Sequence, residues 1–381
     1  MTIHTLRPLL LLLTLFSLVT PTLASAPTPE AVALIEELGL TEAETPIAKH
    51  PGWKPRRIVV MLLPKMGTAS AEYEAQLQAA AGDVELVFDR SGSFIPAPDL
   101  LVGADAVIGI CTEPLLQTAD KSLLWLHNYL VGMDRCKGAS DTQLEEVVFT
   151  NNKRLSGPTI AEHAIAMLLA LTHNLPAYGR AQAQAQWDRS LSEGIAFGEL
   201  KGKTMLVVGL GGIGTEIAWR AHGLGMRVIA TRSSSREGPD YVEYVGLSDE
   251  LLALAGKADV IANALPLTPS TTGIFNRAFF DAVKPGAIFL SVGRGQSTVT
   301  ADLVAALESH RLFGAGLDVT DPEPLPKDSP LWQLPNVIIT PHVSSAGGDS
   351  PQRTMIIAVE NLRRYVQGEP LLNVVDMQKG Y

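Results

Sequence analysis

The run Thr204-Met205-Leu206-Val207-Val208-Gly209-Leu210-Gly211-Gly212-Ile213-Gly214 constrains this chain more than any other segment. A strand-like stretch enters a GxGxxG turn, and TEIAWRAHGLG follows as a helix. The three motif glycines serve a tight turn, backbone approach to a pyrophosphate, and close helix–strand packing. Free amides over Gly209–Gly214 and the helix dipole then favour phosphate. The next strand, MRVIA, is in place, so the turn is read as a dinucleotide site. An NAD site usually ends that next strand in an acid. Here the chain reads Ala230-Thr231-Arg232-Ser233-Ser234-Ser235-Arg236. Arg232 suits a ribose 2′-phosphate, with Ser233 as a hydrogen-bond donor. The expected cofactor is therefore NADP(H), with NAD(H) as the alternative.

Apolar runs ending in small or polar residues recur on both sides of this motif. RRIVVMLLP, VELVFDR, ADAVIGIC and LLWLHNYLVGMD precede it; ADVIANALP, AIFLSVGRG, FGAGLDV and NVIITPH follow it. Strands alternating with helical stretches imply parallel βαβ units with both sheet faces covered. Helices are expected over PEAVALIEELGL, near Ser70–Ala81, over SGPTIAEHAIAMLLALTHNL, and from Ser350 to Gly368. The polar stretch AYGRAQAQAQWDRSLSEGIAFGELKGK is expected to cross the surface. The predicted fold class is α/β: two Rossmann-like or flavodoxin-like parallel-sheet domains, the cofactor domain inserted into the substrate domain. The boundaries are 27–150 and 345–381 for the substrate domain and 151–344 for the NAD(P)-binding domain.

With 381 residues the chain is long enough for two domains. Its formal net charge of −10 gives sequence-independent nucleic-acid binding little support. Residues 1–26 form the layout of a signal peptide: Arg7, an apolar run over Pro8–Val19, then small residues with cleavage after Ala24 or Ala26. The run is too short to span a bilayer, so no stable membrane insertion is expected. Export to the periplasm or medium follows, with a cytoplasmic protein as the alternative if the leader is not a signal. Cys111 and Cys136 can form one bridge at most; two unpaired buried thiols are the expected state. There is no HExxH and no close ligand cluster, so no metal is expected.

Three polar residues close later strands. Arg294 follows AIFLSVG, Glu323 sits in GLDVTDPEP, and His342 ends NVIITPH. An imidazolium can donate a proton to a carbonyl oxygen during hydride reduction. A carboxylate beside it holds the ring and favours its charged form. A guanidinium can clamp a substrate carboxylate and polarise the adjacent carbonyl. His163 and His173, ten residues apart on an apolar helix, are expected to be packing or surface residues.

In this order TIAEH, ELKGKTMLVVGLGGIG, ADVIANALPLTPSTTGIF, SVGRG, GLDVTDPEP and TPH resemble the D-isomer-specific 2-hydroxyacid dehydrogenases, from about Arg57 to Asn373. The resemblance implies an active cleft between two domains and a homodimer formed through the cofactor domain. It makes Arg294 the substrate clamp, Glu323 the partner of His342, and His342 the acid/base. It sets Asp318 near the nicotinamide amide, Pro266 beside the adenine, and the amides of Val131 and Gly132 at the substrate carboxylate. Departures are Ser291 where Asn is commoner, Val299 where an acid is usual, and the loop GICTEPLL. They bear on the substrate rather than on the chemistry. Arg232-Ser233 resembles the glyoxylate and hydroxypyruvate reductase branch. The expected activity is hydride transfer between NADP(H) and a small 2-oxo or D-2-hydroxy acid. A bulkier acid such as phosphoglycerate or a sugar acid, and an exported nucleotide-binding module without turnover, are the alternatives.

Overall fold

The computed structural model describes residues 26–136, 138–193 and 198–378. The proposed leader therefore lies outside the described residues, apart from Ala26. Helix α1 (Pro29–Leu38) starts on Thr28, whose hydroxyl accepts from the Ala31 amide, with Pro29 in the first turn. It ends at Gly39 in the left-handed conformation that glycine adopts most readily.

The first sheet contains β1 (Arg57–Met61), β2 (Glu85–Asp89), β3 (Ala106–Gly109), β4 (Trp125–Asn128) and β5 (Val148–Asn151). Its spatial order is β2-β1-β3-β4-β5, and every pair is parallel. Helices α2 (Ala71–Ala81), α3 (Glu113–Thr118) and α4 (Asp141–Glu146) join these strands. β1 and β3 are largely apolar, and β1, β3 and β4 are almost wholly buried, as parallel strands covered on both faces are.

The chain then enters α5 (Gly157–Thr172) and α6 (Leu175–Ala183). Helix α6 covers the start of the polar stretch expected to cross the surface: Pro176 opens it, and Ala, Gln and Arg sustain it. The segment stays at the surface, and Trp187 just beyond it is 90% exposed.

The second sheet begins with β6 (Thr204–Val208), followed by α7 (Gly212–Gly223), β7 (Arg227–Arg232), β8 (Tyr244–Leu247) and α8 (Leu251–Ala255). It continues through β9 (Val260–Asn263), α9 (Arg277–Ala282), β10 (Ala287–Ser291), α10 (Thr300–Glu308), β11 (Leu312–Leu317) and β12 (Val337–Ile339). The order is β12-β11-β10-β9-β6-β7-β8. β6 lies between β9 and β7, so the chain reverses direction across the sheet beside the glycine turn. In open sheets of this kind, ligands sit at that reversal, outside the carboxyl ends of the strands.

Helix α11 (Ser350–Gln367) returns to the first sheet. Ala358, Leu362 and Tyr365 join that sheet's core, and the Tyr365 ring stacks on Trp125 with centroids 4.8 Å apart. Its hydroxyl donates to Asp105 Oδ1 at 2.9 Å. The cofactor sheet is thus inserted into a domain built from both ends of the chain. No helix of the described residues is long and apolar enough to cross a membrane.

Cys111 and Cys136, expected as free thiols, form a disulfide. Cys111 follows β3 and Cys136 lies beyond β4, and these strands are neighbours. Their loops leave the same edge of the sheet, which brings the two Cα atoms to 5.2 Å.

Candidate active site

The glycine turn has the shape that a dinucleotide needs. Gly209 has φ +94°, a conformation other residues rarely adopt. A Cβ on Gly214 would collide with the Gly209 carbonyl oxygen, so the helix can approach the strand only with glycine there. A Cβ on Gly211 would meet nothing within 4 Å. The space beside Gly211 is open where a pyrophosphate would lie, with Gly212 and Ile213 opening α7. These residues fit the group. Arg232 ends β7, and its Nη1 donates to the Glu237 carbonyl oxygen at 2.9 Å. Ser233 follows it.

Asn263 closes β9 and is fully buried. It donates to Ser291 Oγ at 3.0 Å and Ser297 Oγ at 2.8 Å, while its Oδ1 accepts from the Leu265 amide. These bonds fix the turn leading to Pro266, whose carbonyl accepts from Thr271 Oγ1 at 2.7 Å.

At the other side of the sheet, His342 Nδ1 lies 2.9 Å from Glu323 Oε2. The Thr320 amide donates to Glu323 Oε1 at 3.1 Å, leaving Oε2 for the ring. His342 has φ +54°, uncommon for a side-chain-bearing residue. Its amide donates to the carbonyls of Asp318 and Thr340, which holds the turn. Asp318 stabilises the same turn from beneath. Its oxygens accept from Thr340 Oγ1 at 2.7 Å and from the Val343 and Ser344 amides at 2.9 and 3.0 Å. Burial raises the Asp318 pKa, but the bonds from Ser344, Thr340 and Val343 outweigh it and hold the carboxyl below its ordinary value. Asp318, expected at the nicotinamide amide, thus has its carboxylate engaged by the loop that carries His342.

Arg294 reaches across the cleft. Its Nε and Nη2 donate to Asp134 Oδ1 at 3.1 and 2.9 Å, and Nη1 donates to the Gly293 carbonyl. A Cβ on Gly132 would collide with Arg294 Nη2. The guanidinium therefore lies directly against the loop of Val131 and Gly132. Asn151 and Asn128 donate to the carbonyls of Val131 and Gly132 at 2.6 and 3.1 Å. The two amides take no partner among the described residues.

Sequence reasoning did not anticipate Asp134. Burial raises its pKa, but the charge and hydrogen bonds of Arg294 outweigh this and keep it low. The signal was an acid two residues beyond Gly132 in YLVGMD. His163 was expected only to pack or face solvent. Its Nε2 lies 2.9 Å from Thr340 Oγ1 and 3.8 Å from Asp318 Oδ1, which ties α5 to the His342 turn. Among the described residues, no group of three or more His, Cys, Asp or Glu could hold a metal.

The profile for the D-isomer specific 2-hydroxyacid dehydrogenase NAD binding domain matches residues 165–344. A hydroxypyruvate reductase from Blautia hydrogenotrophica is 38% identical over 57% of this chain and 68% of its own length. This chain belongs to the D-isomer-specific 2-hydroxyacid dehydrogenases. A glyoxylate reductase from Korarchaeum cryptofilum is 28% identical over 85% of this chain and 97% of its own. A D-3-phosphoglycerate dehydrogenase from Archaeoglobus fulgidus is 32% identical, and the match spans about half that protein (48%). Among solved structures, an NADPH-dependent glyoxylate/hydroxypyruvate reductase from Sinorhizobium meliloti, in complex with NADP and sulfate, superposes with TM-score 0.68 at 28% identity. It covers 86% of this chain and 100% of that one. As a member of this dehydrogenase family the protein is an NAD(P)-dependent oxidoreductase acting on CH–OH groups.

Proposed function

We propose that the protein is an NADP-preferring reductase of small 2-oxo acids, with glyoxylate or hydroxypyruvate as substrate. The observation that carries the cofactor preference is Arg232 at the end of β7, where no carboxylate is available for ribose hydroxyls. The reductases of glyoxylate and hydroxypyruvate among the relatives support the substrate class. A bound nicotinamide supplies the hydride. The chain's own residues do the rest. Arg294 and the amides of Val131 and Gly132 receive the substrate carboxylate and orient the carbonyl. Thr320 holds Glu323, Glu323 holds the His342 ring, and His342 gives its proton to the carbonyl oxygen as charge develops there. Pro266 borders the adenine side, Asp318 holds the His342 turn, and the active form is a homodimer.

We also assign the protein to an exported location. The leader over residues 1–26 supports this, as does the Cys111–Cys136 bridge, because disulfides persist in oxidising compartments. Steady-state kinetics of the mature protein with a panel of 2-oxo acids tests the functional reading. The highest kcat/KM is expected for glyoxylate or hydroxypyruvate with NADPH. A higher value for a phosphorylated or sugar acid, or for NADH, would overturn it.

A further inference from the structure

The hinge between β5 and α5 lies directly on the cofactor turn. A Cβ on Gly212, the first residue of α7, would stand 3.3 Å from Arg154 Cα, 3.4 Å from Arg154 N and 2.8 Å from its Cγ. A Cβ on Gly157 would likewise stand 3.3 Å from the Gly212 carbonyl oxygen. Arg154 itself has φ +74°, a conformation that costs a non-glycine residue and is tolerated where the surrounding structure enforces it. The preceding residue, Lys153, is half-buried. Its amide donates to Asn151 Oδ1, and its carbonyl accepts from Asn373 Nδ2, so its backbone is fixed.

Two cations, Lys153 and Arg154, are adjacent at this hinge, and the charge of a third, Arg232, acts on Lys153. Arg154 Nη1 donates to the Leu38 carbonyl and Arg232 Nη1 to the Glu237 carbonyl. Lys153, Arg154 and Arg232 have no carboxylate partner among the described residues. The acid nearest the hinge, Glu216, is already paired with Arg220 at 2.5 Å. Burial, then the charges of Arg154 and Arg232, push the Lys153 ammonium below its ordinary pKa. A half-buried ammonium under the charge of two guanidiniums is unfavourable in the free protein. An anion placed among them reverses the sign of that interaction.

We propose that Lys153, which follows β5 of the five-stranded sheet, binds a phosphate of the dinucleotide and so closes the cofactor site from the side facing the glycine turn. This rests on NAD(P) binding at Gly209–Gly214, but not on the preference for NADP. The pyrophosphate over Gly212 and the 2′-phosphate at Arg232 offer the same chemistry. The effect on NADH and NADPH separates them. Two cations at the ends of strands of different sheets, both on one ligand, also fit an exported protein that must retain its cofactor.

The test measures dissociation constants for NADPH and NADH on mature wild type, Lys153→Met and Lys153→Arg by cofactor fluorescence. Lys153→Met is expected to weaken NADPH binding tenfold or more, and Lys153→Arg to stay within a few-fold of wild type. Equal loss for both cofactors assigns the pyrophosphate; loss for NADPH alone assigns the 2′-phosphate. Unchanged constants in Lys153→Met, or a loss that Lys153→Arg does not rescue, would overturn the proposal. A wild type that binds NADH as tightly as NADPH would refute the cofactor preference but leave this inference standing. A second measurement needs no variant. Amine-directed labelling of Lys153, read by peptide mass spectrometry, should be suppressed by saturating NADPH; labelling at an unchanged rate would count against it.

Discussion

The two sheets meet the cleft with different kinds of loop. The seven-stranded sheet delivers polar side chains that its own backbone and neighbours hold in place. Glu323 is fixed by the Thr320 amide, His342 by Glu323 and by the turn that Asp318 secures, and Asn263 by two buried serines. The five-stranded sheet delivers backbone amides on the Val131–Gly132 loop. That loop is positioned by the Cys111–Cys136 bridge and two asparagine side chains of its own sheet, and from the other sheet by Arg294 on Asp134. The difference separates two tasks. On the proposed reading, the pair that moves the proton is held within one sheet, whereas the carboxylate-binding loop takes one of its contacts from the other sheet.

This division can be broken most severely at His342. His342→Gln keeps some hydrogen bonding but cannot transfer a proton. General acid catalysis contributes about 10²–10⁴-fold, so kcat should fall by that order with the NADPH dissociation constant unchanged. Wild-type turnover in this variant would place the acid elsewhere. On the substrate side, removing the bridge with Cys111→Ala/Cys136→Ala should cost about 3 kcal/mol of stability, since it closes a loop with a sequence separation of 25. The denaturant midpoint reads this loss. KM for the 2-oxo acid should rise, and NADPH binding should not change. A variant as stable as wild type would remove the bridge from the account.

Arg232→Asp sharpens the cofactor side. Losing charge-assisted bonds to phosphate should cost about 1.5–3 kcal/mol, read as a higher KM for NADPH with NADH spared or improved. The smallest effect belongs to Asp134→Asn. The Arg294–Asp134 pair is half-exposed, and the amide still accepts a hydrogen bond. KM should rise by about threefold to tenfold, roughly 1 kcal/mol in binding, with kcat nearly constant. A collapse of kcat instead would mean that Asp134 takes part in the chemistry.

The same contrast explains what the sequence disclosed. Gly209–Gly214, Arg294, Glu323 and His342 each lie in the loop that follows a strand of one sheet, so strand order and motif spacing suffice to place them. The parallel strands and the return of α11 follow from apolar runs of recognisable length. Asp134 is tied to the site only by its contact with Arg294, and the role proposed for Lys153 rests on the packing of Arg154 against Gly212; no local pattern encodes either. The pairing of Cys111 with Cys136 depends on β3 and β4 being neighbours, a fact of topology. Helix α6 was hidden because its polar face lacks the periodic apolar stripe by which helices are recognised.

The central claim is that the pair at the end of the cofactor sheet completes a reduction, rather than merely decorating a nucleotide-binding fold. The most direct measurement is a single turnover: mature protein loaded with NADPH, mixed with excess hydroxypyruvate, with nicotinamide absorbance and product enantiomer followed together. The account predicts a loss of NADPH matched in amount by the D-2-hydroxy acid. NADPH that stays bound and unoxidised across the panel of 2-oxo acids would contradict it, and would leave a nucleotide-binding module without turnover.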